Sequence, residues 1–242
     1  MTAIFYLLLF VFGLAAGSFF NVVLWRYQPE FSLLKISHLR GRSHCPYCQR
    51  VLRWFELAPL FSFIVQKGKC RRCGHPLSWQ YPLVELAGGL IFVGAPLFLN
   101  YFFHQNNWLF FIGQAPLWYY GLISLWILIF LSWLLLTMID LKHFIIPNGL
   151  SIFLGVLGAA VTAMVYFFRD YFWPFRESFL QQYALIFSPF ERNVLAGHLL
   201  GALVGFLFFA FIYFLTRGRA MGLGDVKLAL ALCLVLGWPD IG

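Results

Sequence analysis

The sequence predicts an all-α polytopic membrane protein with at least six transmembrane segments and one small polar loop between the first two. Two observations carry this. The 242 residues are 62% hydrophobic and only 11% charged, with 30 Phe and 9 Trp, more apolar side chain than a water-soluble core of that size needs. The apolar residues also fall into runs near the roughly 20 that cross a bilayer as a helix.

The expected spans are 3–24, 83–103, 117–138, 147–168 and 194–215, with a sixth starting near 227. No Lys or Arg precedes the first span, and the first basic residue is Arg26, so it is not a cleavable signal. Gly13-x3-Gly17 in the first span and Gly197-x3-Gly201-x3-Gly205 in the fifth are small-residue stripes for close helix packing. Pro147 suits the first turn of the fourth helix, where no backbone N–H is needed. His198 reads as a hydrogen-bonding group within the bundle. About 15 residues follow Lys227, interrupted by Gly237-Trp238-Pro239; that is short for a span, and the expectation is a chain that continues beyond Gly242.

Charge sets the orientation. Of 17 Lys and Arg, ten lie in 26–80 and none in 104–116; Lys142, Arg217, Arg219 and Lys227 follow later spans, and Arg169, Arg176 and Arg192 lie in 169–193. The positive-inside rule puts 26–80, 139–146 and 216–227 in the cytosol. The net charge of +8 belongs to this topology and to contact with anionic membrane lipid. A nucleic-acid partner is excluded, since no basic soluble domain is available to bind one.

Four of the five cysteines form Cys45-x-x-Cys48 and Cys70-x-x-Cys73. Two such knuckles at this distance match a four-thiolate zinc ribbon, structural because no coordination position is left for water. Two disulfides or four unligated thiols are the alternatives; disulfides require an oxidising compartment, against the cytosolic placement. Cys233 reads as a small hydrophobe in the last helix. Phe55–Val65 is apolar but too short to span, so the loop is expected to rest on the membrane surface as a cap over the helix ends.

Asp140 and Asp225 are two of only nine acidic residues, each at the cytosolic end of a helix, where an ionisable group near membrane depth points to function. Asp140 ends the third span, the unfavourable end for an anion. Asp225 follows Gly222-x-Gly224, glycines that allow either close backbone approach or an unwound turn. Two carboxylates in one cavity can act as base and acid on a peptide bond; the bland alternative is helix capping or pairing with Lys142 and Lys227. Glu85, at the mouth of the second helix, is either a salt-bridge partner for the basic loop or a contact for substrate or cofactor. Asn21 and Arg26 orient the loop or snorkel to the interface.

Taken together, Asp140-x6-Pro147 and Gly222-x-Gly224-Asp225-x-Lys227 resemble the type IV prepilin peptidases, membrane aspartic proteases of the GxGD class. Gly17-Ser18-Phe19-Phe20-Asn21-Val22-Val23-Leu24-Trp25-Arg26 looks like that family's first-helix signature. His44-Cys45-Pro46-x-Cys48, Gly68-x-Cys70-Arg71-x-Cys73-Gly74 and Tyr81-Pro82-Leu83-Val84-Glu85-Leu86 look like its zinc loop and the start of its second helix. The resemblance runs from about residue 13 to 237. Asn148 departs from it mildly, since an acidic residue often follows this proline. The resemblance implies cleavage of the basic leader of type IV prepilins and pseudopilin precursors at the inner membrane, with Asp140 and Asp225 catalytic. It also implies Cys45, Cys48, Cys70 and Cys73 as zinc ligands, with Gly222, Gly224, Glu85 and Lys227 near substrate or cofactor. Methylation of the new N terminus from S-adenosylmethionine rests on the resemblance alone, for no Gly-rich nucleotide fingerprint is visible. The implied division is 1–25 first helix, 26–80 zinc loop and 81–242 peptidase bundle. Competing functions are a non-catalytic assembly factor using the zinc module, disfavoured by the aspartates and glycines together. A proton-coupled transporter is the other, disfavoured by the lack of paired broken helices in internal repeats.

Overall fold

A computed structural model of the chain describes residues 2–28, 41–105, 117–167 and 194–236. Lys35, Arg40, Arg169, Arg176, Arg192 and Gly237-Trp238-Pro239 lie outside the described residues. The described chain is all-helical: α1 (Thr2–Arg26), α2 (Phe61–Val65), α3 (Gln80–Gln105), α4 (Leu117–His143), α5 (Asn148–Phe167), α6 (Val194–Leu215) and α7 (Leu223–Leu236), with a 3-10 turn at Trp54–Leu57. Five of these helices are long and apolar enough to cross a membrane: Ala3–Arg26, Gln80–Asn100, Leu117–His143, Asn148–Phe167 and Leu195–Leu215. The chain is therefore a multi-pass membrane protein. The sixth expected segment corresponds to α7, which starts at Leu223, four residues before the expected position near 227, and is described over 14 residues.

Helices in lipid gain little from apolar burial against one another, so they associate through close packing and a few polar bonds. Between α1 and α3 the backbones touch. A Cβ on Gly13 would lie 2.4 Å from the Gly88 carbonyl oxygen, and one on Gly17 2.5 Å from that of Val84. The first-span stripe is thus a packing surface, and its counterpart on α3 is Gly88. On the other side of α1, Val23 and Leu24 join a core with Leu135, Leu136 and Ile139 of α4, Leu150 and Leu154 of α5, and Ala231 and Val235 of α7. Helix α7 lies between α5 and α6. Thr162 and His198 both reach the Leu234 carbonyl, the imidazole Nδ1 at 2.9 Å, and a Cβ on Gly205 would collide with Cys233 Sγ. His198 and Cys233 are thus bundle contacts.

Five chain segments converge at one end of the bundle. Lys142 Nζ donates to the Leu24 carbonyl at 2.9 Å, joining the ends of α4 and α1. Asn21 Nδ2 donates to the Tyr81 carbonyl at 3.1 Å, joining α1 to the start of α3. The first turn of α7 rests on the link between α4 and α5, where a Cβ on Gly224 would lie 3.1 Å from Ile146 Cβ. The 41–79 loop covers α1 and α3 at this same end, held there by Arg26 on the Gly41 carbonyl at 3.1 Å.

The α1–α3 contact leaves no room for a side chain. Replacing Gly17 by Leu is expected to destabilise the protein by about 1–3 kcal/mol or more, as overpacking does. Thermal unfolding in detergent checks this, with Gly149→Leu, where added atoms meet open space, as the tolerated control.

Candidate functional site

Two groups of polar residues occupy the converging end. The first is the cap. Knuckle 43–52 and knuckle 68–77 have the same hydrogen bonds, displaced by 25 residues. Cys45 N–H donates to the Arg50 carbonyl, Gln49 N–H to Cys45 and Leu52 N–H to Ser43; Cys70, Gly74 and Leu77 donate likewise to His75, Cys70 and Gly68. The turn ends in the left-handed region in both, at Gln49 (φ 55) and Gly74 (φ 69). Gln49 holds this less favourable conformation with Nε2 donating to the Pro46 carbonyl at 3.2 Å.

These turns bring the four sulfurs of Cys45, Cys48, Cys70 and Cys73 within 4.8 Å of one another, as free thiols. Cys45 and Cys73 Sγ are 4.0 Å apart. A tetrahedral zinc with bonds of ~2.3 Å spaces its sulfurs by roughly 3.8 Å, whereas a disulfide requires about 2.05 Å. The cluster fits a metal such as zinc, and two knuckles pairing across it account for the fit. Backbone N–H groups of Cys73 and Arg72 hold the Cys70 thiol down to about 6. The Cys73 thiol is pushed up to about 11, because burial and the sulfurs of Cys70, Cys48 and Cys45 outweigh the N–H of His75 that lowers it. A metal is what lets all four ionise together.

Glu56 was not picked out by the sequence, though a lone acid in an apolar run six residues after Arg50 was the available signal. Its carboxylate pairs with the Arg50 guanidinium and accepts the Arg53 N–H at 2.8 Å. Burial raises the Glu56 carboxyl, but these two partners outweigh it and hold it below its ordinary range. The second anchor of the cap is Glu85, which accepts the Leu60 N–H at 2.8 Å. Glu85 thus ties the cap to α3 through the backbone, rather than through the basic side chains weighed from the sequence.

The second group holds the aspartates. Asp140 is half-buried in the last turn of α4. Its carbonyl accepts the Phe144 N–H at 2.7 Å, and Phe144, 87% exposed, takes φ 54. That left-handed residue ends the helix, a conformation unfavourable for a residue with a Cβ. Pro147 stands just before α5, and its carbonyl accepts the Ser151 N–H at 3.2 Å.

Asp225 lies in the first turn of α7, half-buried. Its Oδ2 accepts the Gly222 N–H at 2.9 Å, a capping contact that uses one of about four acceptor positions on a carboxylate. Neither Gly222 nor Gly224 has a positive φ. The close-approach reason for these glycines therefore holds, and only at Gly224. Lys227 Nζ donates to Asn148 Oδ1 at 3.0 Å, and Lys142 is engaged by Leu24, so each lysine is bonded to an oxygen other than these carboxylates. The Gly224–Ile146 and Lys227–Asn148 contacts set the Asp225 turn against the short link that begins at Asp140. The Asn148 contact was not legible from the sequence.

Loss of the cap's carboxylate has a definite pH signature. The Glu56 carboxyl lies lower folded than unfolded, so its stabilisation is present above the ordinary carboxylate range and lost as pH falls through the folded value. Glu56→Gln is expected to raise hydrogen exchange across 41–79 at neutral pH, with the gap from wild type closing in acid. Metal analysis of the purified protein should find about one ion per chain, with Cys→Ser changes at any of the four positions lowering it.

Residues 11–99 match the Bacterial Peptidase A24 N-terminal domain, and residues 125–241 match the Type IV leader peptidase family. The prepilin leader peptidase/N-methyltransferase of Bacillus subtilis (strain 168) is 34% identical over 234 residues, 95% of this chain and 73% of the relative. That of Klebsiella pneumoniae is 33% identical over 240 residues, 96% of this chain and 86% of the relative. The enzyme of the same name from Myxococcus xanthus (strain DK1622) is 32% identical over 240 residues, 97% of this chain but 57% of the longer relative. No solved structure matches the chain.

Proposed function

The chain belongs to the type IV leader peptidase family, and from that premise we propose that it cleaves the basic leader of type IV prepilins and pseudopilin precursors. Asp140 and Asp225 are the catalytic pair. One carboxylate takes a proton from the attacking water while the other donates one to the substrate carbonyl; as the C–N bond breaks the first passes its proton to the leaving amine and the second recovers one from the gem-diol, without a covalent intermediate. The observation that carries this is the seating of the Asp225 turn, through Gly224 on Ile146, against the link that follows Asp140. Lys227 and Asn148 brace that contact, a positioning role.

Cys45, Cys48, Cys70 and Cys73 would hold a zinc ion, which supplies structure and no open coordination position. The basic 26–80 loop supports an inner-membrane orientation with this end in the cytosol. There the 81–242 bundle meets precursor and lipid. The names of the relatives support a second activity, methylation of the new N terminus with S-adenosylmethionine as donor.

Asp140→Asn and Asp225→Asn should each lower prepilin cleavage by at least ~10²–10⁴-fold, the range that general acid–base groups supply, with membrane insertion and melting unchanged. Purified protein and a synthetic prepilin test this. Near wild-type cleavage by either variant would overturn the aspartic-protease assignment.

A further inference from the structure

The last two turns of α1 face two environments. Val23 and Leu24 pack into the core beside Ile139, one residue from Asp140. Ser18, Asn21, Val22 and Trp25 line a cavity of about 140 Å³ between α1, α3 and the cap, and their spacing is one face of a helix. A single water needs roughly 10–15 Å³ of such space, so the cavity has the size of a small molecule.

Its polar groups call for a ligand that brings donors and positive charge. Asn21 is 5% exposed. Its Nδ2 is used on Tyr81, while its Oδ1 is buried with no partner among the described residues, an acceptor for which burial is unfavourable unless a donor arrives. Glu85, 8% exposed, brings a carboxylate to the same space. The other carboxylate there, Glu56, is already paired with Arg50. Trp25, Phe63 and Tyr81 add aromatic rings to the lining, surfaces that attract a cation lacking hydrogen-bond donors. Arg26 also borders the cavity and supplies a positive charge for a carboxylate. An ammonium, a carboxylate and a sulfonium on one small molecule describe a methionine-derived methyl donor.

We propose that this cavity binds S-adenosylmethionine, with Asn21 and Glu85 as acceptors for its ammonium. The proposal rests on the methyltransferase half of the proposed function. In the transfer, the lone pair of an uncharged N-terminal amine forms a bond to the methyl carbon. The carbon–sulfur bond breaks with its electrons left on sulfur, and the methylated ammonium releases one proton to water. Neither aspartate lines this cavity, so on this proposal cleavage and methylation use separate sites.

Equilibrium dialysis of labelled S-adenosylmethionine against the full, zinc-loaded chain in detergent tests this. Wild type and Asp140→Asn are expected to bind alike. Asn21→Leu and Glu85→Gln should each weaken binding by about tenfold or more, as the loss of a buried polar contact does, at wild-type zinc content; Asn21→Leu also loses its bond to the Tyr81 carbonyl, so its binding is measured below its own melting temperature. Glu85→Gln retains an acceptor for Leu60, so it separates loss of charge from loss of fold. Wild-type affinity in both variants would overturn the cavity assignment and leave the methyltransferase reading standing. A wild-type protein that cleaves prepilin but neither binds the donor nor methylates the product would remove that reading, and this proposal with it.

Discussion

The contact of α1 with α3, backbone against backbone, fixes the rest of this end of the molecule. With Gly13 and Gly17 against Val84 and Gly88, the two helices approach closely enough for a short side chain to bridge them. Asn21 can then reach the Tyr81 carbonyl. Glu85 accepts the Leu60 N–H, which attaches the cap. Wider spacing would remove the Asn21 bond, because that side chain is too short to follow. A stripe of small residues on a transmembrane helix thus sets where a polar domain outside the helices comes to rest.

A second close approach does the same for the aspartates. Helix α7 is held along its length by α5 and α6, through Gly158 against Val235, Gly205 against Cys233, and His198 on the Leu234 carbonyl. Its first turn is then pressed onto Ile146, and Gly224 is small enough to permit it. The motif glycines differ in kind. Gly224 is required by a neighbour, while Gly222 supplies the N–H that the Asp225 carboxylate accepts, which any residue but proline can do. The capping contact and a catalytic role are compatible, because the cap fixes the rotamer of the side chain that would react.

Much of this was legible in the sequence, and the exceptions have a common cause. The membrane class, five spans, the paired cysteine turns and the packing role of Gly13 and Gly17 follow from composition, hydropathy and spacing, which are local properties. The sixth span was expected from near 227, where the unbroken apolar run begins, whereas the helix already includes Leu223 and Gly224. Contacts between distant residues left no such signal. Lys227 on Asn148 spans 79 residues and Lys142 on the Leu24 carbonyl 118, so only the fold could reveal them. Glu56 and Asn21 were visible as polar residues in apolar runs, but not what they would meet. The carboxylate of Glu56 found a guanidinium, and the Asn21 side-chain oxygen has no partner among the described residues.

The concentration of chemistry at one end follows from what a bilayer permits. Within the hydrocarbon every backbone N–H and C=O must be satisfied by the helix itself, and the mid-helix hydroxyls conform. Ser132 and Thr162 bond to carbonyls four residues back on their own helices, at 2.7 and 2.9 Å. Helix ends are different, because their last carbonyls and first N–H groups have no intrahelical partner. Polar residues answer two of those orphan groups here: Lys142 takes the carbonyl of Leu24 and Asp225 the N–H of Gly222. Hydrolysis needs water, and water is available where the helices stop. The proposed catalytic pair fits this constraint, with Asp140 in the last turn of one helix and Asp225 in the first turn of another.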